Sequence, residues 1–188
     1  MKSRNAAMLL LCMAVAACSG AAQAETISIK CEASQGWQAP AMTIVYEGAD
    51  KGTLTVKSSF GEMTLPASKE TRDEVGEDGQ KQSATGIRAF GPAKVIMPDK
   101  VAAEACAKGK LTPEQSRDSD VVYTTILGCL GQVPMGRSPI DIKASVEISV
   151  TDPPAAYVGL KRTYLEPSAL PGGEPVSVEA YPICTLAE

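Results

Sequence analysis

Strict alternation of apolar and polar residues over residues 140–150, IDIKASVEISV, is the feature that most limits the fold. The side chains of a β-strand point to opposite faces in turn, so this stretch buries one face and exposes the other to water. A half-exposed strand belongs to an antiparallel sheet, because parallel strands are usually buried on both faces. The stretch therefore predicts a fold organised around an antiparallel sheet.

Shorter alternating segments on both sides of this stretch are also predicted to be strands. Glycine- and proline-containing turns separate the first four, which is typical of an antiparallel meander. The predicted strands cover residues 26–32, 42–46, 54–56, 63–65, 85–90, 93–97, 156–165 and 176–186.

Residues 66–83 interrupt this pattern, since Val75 is the one large apolar residue among charged, glycine and small polar residues. Such a composition buries too little apolar surface to form core, so the segment is predicted to be a solvated or mobile loop. Its acids are Glu70, Asp73, Glu74, Glu77 and Asp78. Carboxylates suit calcium, but their spacing does not match an EF-hand loop, and a charged surface loop is the favoured interpretation.

Two helices are predicted in the middle of the chain. Residues 99–108 are rich in alanine, and Gly109 stands where a left-handed C-cap residue would fall. The TPEQ sequence at residues 112–115 has the pattern of a capping box with proline at the first helical position. The apolar stripe of the second helix would comprise Val122, Ile126, Cys129, Leu130 and Val133. The β-branched residues of the same segment favour a strand instead.

The predicted fold class is α+β. It is mainly antiparallel β-sheet, as a meander or a partly open barrel, with a helical hairpin inserted in the middle between Pro98 and Val133. At 188 residues the chain is long enough for one sizeable core, and no linker or internal repeat divides it.

The N-terminus has the three parts of an export signal. Two basic residues give a positive start, residues 6–17 are apolar, and AQA at 22–24 has the small-x-small pattern of a cleavage site. We therefore expect residues 1–24 to be a cleaved signal peptide. Residues 25–188 would then form a single disulfide-bonded domain, located in the periplasm or secreted.

A second route of processing stays open, because VAAC at residues 15–18 resembles the bacterial lipobox, whose cysteine is acylated after cleavage. Leucine is usual where Val15 stands, and plain secretion is favoured. A lipid on Cys18 would be the only membrane contact of such a protein. The apolar run at 6–17 is too short to span a bilayer, and no later segment approaches the necessary length.

Cleavage after residue 24 would change the cysteine count from six to four. Four cysteines in an exported chain indicate two disulfides, for which three connectivities are possible. If both central helices form, Cys106 and Cys129 lie on their apolar sides and can join them. Cys31 paired with Cys184 would then tie the first strand to the last.

The charge of the mature chain bears on its partners. Cleavage would leave 16 basic against 22 acidic residues, a formal charge of −6. This excess of negative charge argues against nucleic acids and anionic lipid surfaces as partners.

The chain contains no histidine, which excludes Ser-His and Cys-His nucleophile pairs, histidine zinc sites and histidine general bases. The SxxK, GxSxG, GxGxxG and P-loop patterns are absent as well. We therefore predict no catalytic residue, no cofactor and no metal ligand. A pair of carboxylates, as in glycosidases, is the catalytic arrangement left open.

The candidate partner-binding residues are Ser83, Thr85, Gly86 and Arg88. Small hydroxyl residues with a glycine and an arginine can present hydrogen-bond donors to the carboxylates of a partner. The competing interpretation is a loop that leads into a strand and carries one surface arginine. Trp37, the only tryptophan, lies in a predicted turn and would either anchor a partner or a sugar ring or, as favoured, cap one end of the core.

The order of several short motifs resembles the periplasmic and membrane-bound inhibitors of C-type lysozyme. The motifs are Cys31, TIVY at 43–46 with Gly48, and the segments 52–56, 61–65 and 83–88. The resemblance implies a small antiparallel β-barrel that blocks the lysozyme active site with loop residues, among which 83–88 would form the inhibitory loop. The helical middle and the C-terminal hairpin have no counterpart in that family, and its downstream tryptophan segment is missing here.

The favoured function is a non-catalytic binding module of the bacterial envelope for a protein, a peptide or a saccharide, an inhibitor being one version of it. Export, disulfides and the absence of the usual nucleophile and base pairs support this interpretation. The alternatives are a carboxylate-dependent hydrolase of envelope glycans and a structural envelope lipoprotein.

Overall fold

A computed structural model describes residues 24–34, 38–75, 79, 81–151, 155–165 and 177–187. Within these residues the chain forms nine β-strands and two α-helices, which confirms the prediction of a mostly antiparallel sheet with two helices. The strands are β1 (Glu25–Cys31), β2 (Met42–Gly48), β3 (Lys51–Ser58), β4 (Gly61–Val75), β5 (Lys81–Pro98), β6 (Met135–Thr151), β7 (Ala155–Tyr164), β8 (Ser177–Ala180) and β9 (Ile183–Leu186). The helices α1 (Lys100–Lys110) and α2 (Ser119–Leu130) lie between β5 and β6 in the sequence.

The sheet closes on itself. The first seven strands pair in sequence order, and β9 then pairs with both β7 and β1. The short strand β8 pairs with β7 beside β9. Each of the eight strands of the ring has a paired neighbour on either side, and closure gives the sheet an inner and an outer face.

The inner face carries the core. On β6, Ile142, Ala144, Val146 and Ile148 are all buried, and the polar residues between them face outward, as the alternation predicts. The other strands supply side chains with the same period. The largest fully buried apolar ones besides Ile142 and Val146 are Tyr46, Tyr164, Ile29, Ile44, Leu54, Leu65 and Ile87.

The prediction of a solvated or mobile loop over residues 66–83 is wrong for residues 66–75 and 81–83, which belong to strands, while residues 76–78 and 80 lie outside the described residues. The strand β4 continues to Val75, and its last residues pair with the start of β5. Since the first residue of β3, Lys51, lies opposite Ser68, this part of the β4–β5 hairpin projects beyond β3 and is largely exposed on both faces. Ladder hydrogen bonds and cross-strand pairs such as Thr71 opposite Thr85 stabilise it in place of core burial.

Two other strand predictions change in their boundaries. Residues 85–90 and 93–97 belong to the single long strand β5 and not to two short ones, and residues 176–186 contain two strands where one was predicted. Both differences follow from closure. A long β5 can pair with β4 on one side and β6 on the other, and the break between β8 and β9 lets the last segment pair first with β7 and then with β1.

The helix α1 begins and ends as its capping contacts dictate. The Asp99 side chain accepts a hydrogen bond of 3.1 Å from the amide of Ala102, which fixes the N-terminus. The predicted C-cap at Gly109 is wrong, because the helix continues through Lys110 and its C-cap residue is Leu111.

The predicted capping box forms, but it starts a different element. The Thr112 amide donates to Gln115 Oε1 at 3.0 Å, and the Gln115 amide donates to Thr112 Oγ1 at 3.2 Å. This pair opens a short 3₁₀ turn, Gln115–Arg117, and α2 begins only after the separate N-cap Asp118. In α2, Cys129 and Leu130 are buried as predicted, whereas Val133 lies beyond the end of the helix.

Two disulfides join the four cysteines of the described chain. Cys31 and Cys184 lie directly opposite each other on β1 and β9, with their Cα atoms 4.0 Å apart, and link the strands at which the ring closes. Cys106 and Cys129 join α1 to α2. The presence of two disulfides indicates an oxidising compartment.

Candidate functional site

A groove of about 700 Å³, here called the outer groove, lies on the outer face of β4 to β7 and β9. Two cross-strand rows run along it. The first row consists of Glu70, Gly86, Ser149, Tyr157 and Ile183, each opposite the next. The second row consists of Ser68, Arg88, Glu147 and Gly159. The volume falls within the range that is usual for ligand sites.

Small residues form the floor of the outer groove. A Cβ atom at Gly86 would meet nothing nearer than the Glu70 carbonyl oxygen, at 3.7 Å, so the space above this residue is open. Gly159 differs, because Cε1 of the Tyr181 ring lies 3.5 Å from where its Cβ would stand. The groove is therefore empty above β5 and is bounded by a tyrosine above β7.

Apolar side chains form one wall. Tyr181, Tyr157 and Ile183 are 64%, 66% and 69% exposed, although all three lie on or beside regular strands. Exposed aromatic residues on a rigid scaffold lose little conformational entropy when they bind a ligand, which makes them effective contact residues. This wall is the strongest sign of ligand binding among the described residues.

Tyr181 is held at both ends of its side chain. Its ring packs over Gly159, and its hydroxyl donates to Glu179 Oε2 at 3.3 Å. Lys161 Nζ in turn donates to Glu179 Oε1 at 2.8 Å. The hydrogen bond from Lys161, and then its positive charge, lower the pKa of Glu179, so this acceptor stays ionised.

Tyr181 also separates the outer groove from a second hollow. This side hollow has a volume of about 230 Å³ and is lined by Ser145, Glu147, Gly159, Leu160, Lys161, Glu179 and Tyr181. Glu147, Gly159 and Tyr181 line both the outer groove and the side hollow, so the two spaces adjoin each other. The side chain of Tyr181 lies at their common border.

Ion pairs form the opposite wall. Arg88 Nε lies 3.8 Å from Glu147 Oε1 across the β5–β6 pair, and Arg72 pairs with Glu70 along β4. A hydrogen bond from Arg72 is the main cause of a lowered pKa at Glu70. All four side chains are well exposed, so each pair separates at little cost in free energy.

Two of the four predicted partner-binding residues lie in the outer groove and two do not. Gly86 and Arg88 line it. Thr85 points to the other face of β5, and Ser83 lies farther along the hairpin, opposite Asp73. The loop predicted at Ser83 is wrong, because Ser83 belongs to β5, whereas Thr85, Gly86 and Arg88 lie on a strand as predicted for residues 85–90.

The apolar wall of Tyr157, Tyr181 and Ile183 was not predicted from the sequence. A signal for one member was available, since Tyr157 and Gly159 alternate with the buried Val158 and Leu160 and must therefore face outward. Tyr181 gave no such signal, because its contact with Gly159 depends on the pairing of β7 with the C-terminal strands. Trp37, which was considered as a partner or sugar anchor, lies outside the described residues.

A buried cation lies on the inner face, away from the groove. Arg162 is 1% exposed, donates from Nη2 to the carbonyl of Gln38, and places its guanidinium carbon 4.8 Å from the centre of the Phe60 ring. Burial lowers the pKa of this guanidinium. These contacts hold the segment that precedes β2 against the core.

Metal binding finds no support in the parts of the chain that the structure covers, where no three histidine, cysteine or acidic residues cluster as ligands. Of the predicted acidic group, Glu70 is paired with Arg72, and Glu77 and Asp78 lie outside the described residues. No helix in the described ranges has the length and apolar character needed to cross a membrane.

Comparisons with known proteins add no assignment. No family model, no curated protein and no solved structure matches the chain.

Proposed function

We propose that the protein is an exported, non-catalytic binding module of the bacterial envelope and that the outer groove is its binding surface. The observation that carries this proposal is the position of Tyr181, fixed by Gly159 and Glu179 yet 64% exposed beside a groove of about 700 Å³. A contact residue that is immobilised before binding adds affinity, because its ordering costs nothing when the ligand arrives.

The framework around the groove supports the same function. The groove lies on paired strands of a closed sheet, and the Cys31–Cys184 disulfide links β1 to β9 directly beside it, Cys184 being one of the lining residues. We infer that α1 and α2 form the predicted helical hairpin and serve the fold. Their buried residues Ala103, Ala107, Cys129 and Leu130 all join the core.

The carboxylate-dependent hydrolase is the competing function, and the charges of the groove argue against it. A general acid in a glycosidase needs a raised pKa. Glu70 of the outer groove and Glu179 of the side hollow both have lowered pKa values because Arg72 and Lys161 pair with them. If the protein were a hydrolase, it would release reducing ends from envelope glycans. Substitution of Glu147, a carboxyl that lines both the groove and the side hollow, by glutamine would then stop this release.

Blocking the groove tests the binding function. Gly86→Tyr would fill the outer groove, and since a Cβ fits there without a clash, the fold should survive. Gly109→Tyr is the matched control, because Gly109 is exposed on α1 with open space around it. The immobilised mature protein and the control should retain material from an envelope extract of the source cell that Gly86→Tyr does not retain. Equal retention by all three would exclude the groove as the binding surface.

The inhibitor version of this function has its own test. If the resemblance to lysozyme inhibitors reflects function, Gly86 and Arg88 would meet the enzyme from a strand face and not from a loop. Titration of C-type lysozyme with the protein should then abolish activity. Full activity at large molar excess would remove this version and leave the groove available to another ligand.

Export and anchoring are tested by the mature N-terminus. The proposal of plain secretion predicts a chain that begins at Glu25, whereas the structural lipoprotein alternative predicts an acylated Cys18. Intact-mass spectrometry of the protein from its own envelope distinguishes the two.

A further inference from the structure

We propose that the ligand of the outer groove is an uncharged oligosaccharide, which stacks one sugar ring on Tyr181 and extends on both sides of it. This inference rests on the proposed function and specifies its ligand. It comes from the balance of charge in the groove, from the backbone pairing of its floor and from the tyrosine between two hollows.

The charges that the described residues bring to the groove cancel. Among these residues, the charged ones that line the outer groove and the side hollow are Arg72, Arg88, Lys161, Glu70, Glu147 and Glu179. They form three ion pairs, one within β4, one between β5 and β6, and one between β7 and β8. A site for an anionic ligand carries an excess of cations, and a site for a basic peptide an excess of acids. Equal numbers of cationic and anionic side chains favour a ligand without charge.

Paired charges still suit a ligand rich in hydroxyl groups. A guanidinium can only donate hydrogen bonds and a carboxylate can only accept them, whereas a hydroxyl does both. Arg88 Nε and Glu147 Oε1 lie 3.8 Å apart. This pair therefore offers a hydrogen-bond donor and an acceptor to neighbouring hydroxyls of one sugar ring. Ser68 and Ser149 add two hydroxyls on the same surface.

The backbone of the floor argues against an extended peptide. Peptides often bind a sheet by adding a strand to an open edge. Along the groove, however, β5 is paired with β4 and β6, and β6 with β5 and β7. The backbone groups of β5 and β6 are therefore used, so a ligand that lies across these two strands has to be recognised by their side chains, with which the hydroxyl groups of a saccharide can form hydrogen bonds.

The place of Tyr181 indicates more than one sugar ring. The side chain lines both the 700 Å³ groove and the 230 Å³ hollow, and its ring is supported from below by Gly159. A ring stacked on it has open space on either side. The chain of sugars would run from the Tyr157 end of the groove across Tyr181 towards Lys161 and Glu179.

The test titrates the mature protein with neutral hexasaccharides, namely maltohexaose, cellohexaose and chitohexaose, and with hexagalacturonate as an acidic counterpart of equal length. Isothermal titration should show saturable binding of at least one neutral hexasaccharide, little changed between about 50 and 500 mM salt because no net charge is involved. Saturation by hexagalacturonate with strong salt dependence, or saturation by none of the four, would overturn the saccharide proposal.

Variants of Tyr181 locate the bound sugar. Tyr181→Ala should weaken binding about tenfold or more, as truncation of an aromatic contact residue typically does. Tyr181→Phe keeps the ring and removes only the hydrogen bond to Glu179, so it should bind within about threefold of the wild type. Equal losses in both variants, or no loss in either, would contradict stacking on this ring.

Treatment of the envelope extract separates failure of the ligand from failure of the groove. Retention that Gly86→Tyr abolishes should survive protease digestion of the extract and disappear after periodate oxidation, which cleaves vicinal diols. Loss after protease alone would leave the groove as the binding surface and replace the saccharide by a protein ligand. If Gly86→Tyr retains everything, the proposed function itself is wrong.

Discussion

The inner and outer faces of β5, β6 and β7 are made by alternate residues of the same three strands, yet they differ in almost every property. The inner face is apolar, closely packed and buried, with Ile87, Val146 and Leu160 among its members. The outer face has a floor of small residues, and exposed tyrosines and ion pairs border it. Neighbouring residues of one strand can therefore serve stability and the proposed binding function separately, because a strand turns successive side chains to opposite faces.

The largest effect on stability is expected at the closure of the ring. Replacing Cys31 and Cys184 by alanine removes a bridge across a sequence separation of 153 residues. The chain-entropy relation gives a loss of about 5 kcal/mol in the free energy of unfolding. Removal of Cys106–Cys129, with a separation of 23 residues, should cost only about 3 kcal/mol. Urea denaturation of the two double variants measures both losses in the free energy of unfolding. A larger loss on removal of Cys106–Cys129 than on removal of Cys31–Cys184 would contradict the assignment of β9 as the closing strand.

A pair of adjacent substitutions on β5 sharpens the contrast between the faces. Ile87→Ala leaves a cavity in the core and should lower the free energy of unfolding by about 2–5 kcal/mol. Arg88→Ala, one residue further on the exposed face, should change it by no more than about 0.5 kcal/mol. Urea denaturation reports both values. Similar losses in the two variants would mean that the outer face also carries stability.

Filling the groove should affect binding and spare the fold. Gly86→Tyr is expected to weaken retention of the ligand by about tenfold or more, which corresponds to about 1.4 kcal/mol. Its free energy of unfolding should stay within about 0.5 kcal/mol of the wild type, because the added side chain enters open space. A variant that loses both properties together would break the separation of faces.

The smallest expected effect is on the pH dependence of the Tyr181 support. Because the hydrogen bond from Lys161 lowers the pKa of Glu179 in the folded protein, the contribution of this pair is fully present above the unfolded carboxyl pKa of about 4.3. It is lost as the pH falls through the lower, folded-state pKa. Lys161→Met should move the titration of Glu179 upward, which carboxyl-carbon NMR detects. An unchanged titration would show that Lys161 does not hold this acceptor.

The sequence predicted the parts of the fold that a core requires. Alternation over residues 140–150 identified the inner face of β6, and helical spacing placed Cys129 and Leu130 on a buried side. The end of the β4–β5 hairpin was not predicted, because it does not contribute to the core and therefore lacks an apolar pattern. Its projecting part is largely exposed on both faces, so cross-strand pairing stabilises it and no apolar period is needed.

The candidate site was predictable only in part. Gly86 and Arg88 attracted attention as residue types suited to a partner, and both line the outer groove. The position of the apolar wall depends on which strands become neighbours when the ring closes, as the contact between Tyr181 and Gly159 shows. Such a contact between distant positions leaves no local pattern in a single sequence.

The five tyrosines of the chain allow one direct measurement of the difference between the faces. Tyr46 and Tyr164 are buried on the inner face, Tyr123 lies on α2, and Tyr157 and Tyr181 border the outer groove. We would label the protein with 3-fluorotyrosine, assign its fluorine resonances by single substitution, and add the material retained from the envelope extract. The resonances of Tyr157 and Tyr181 should shift while the other three stay in place. A shift confined to Tyr123, or none at Tyr157 and Tyr181 under saturating ligand, would contradict the outer groove as the binding surface.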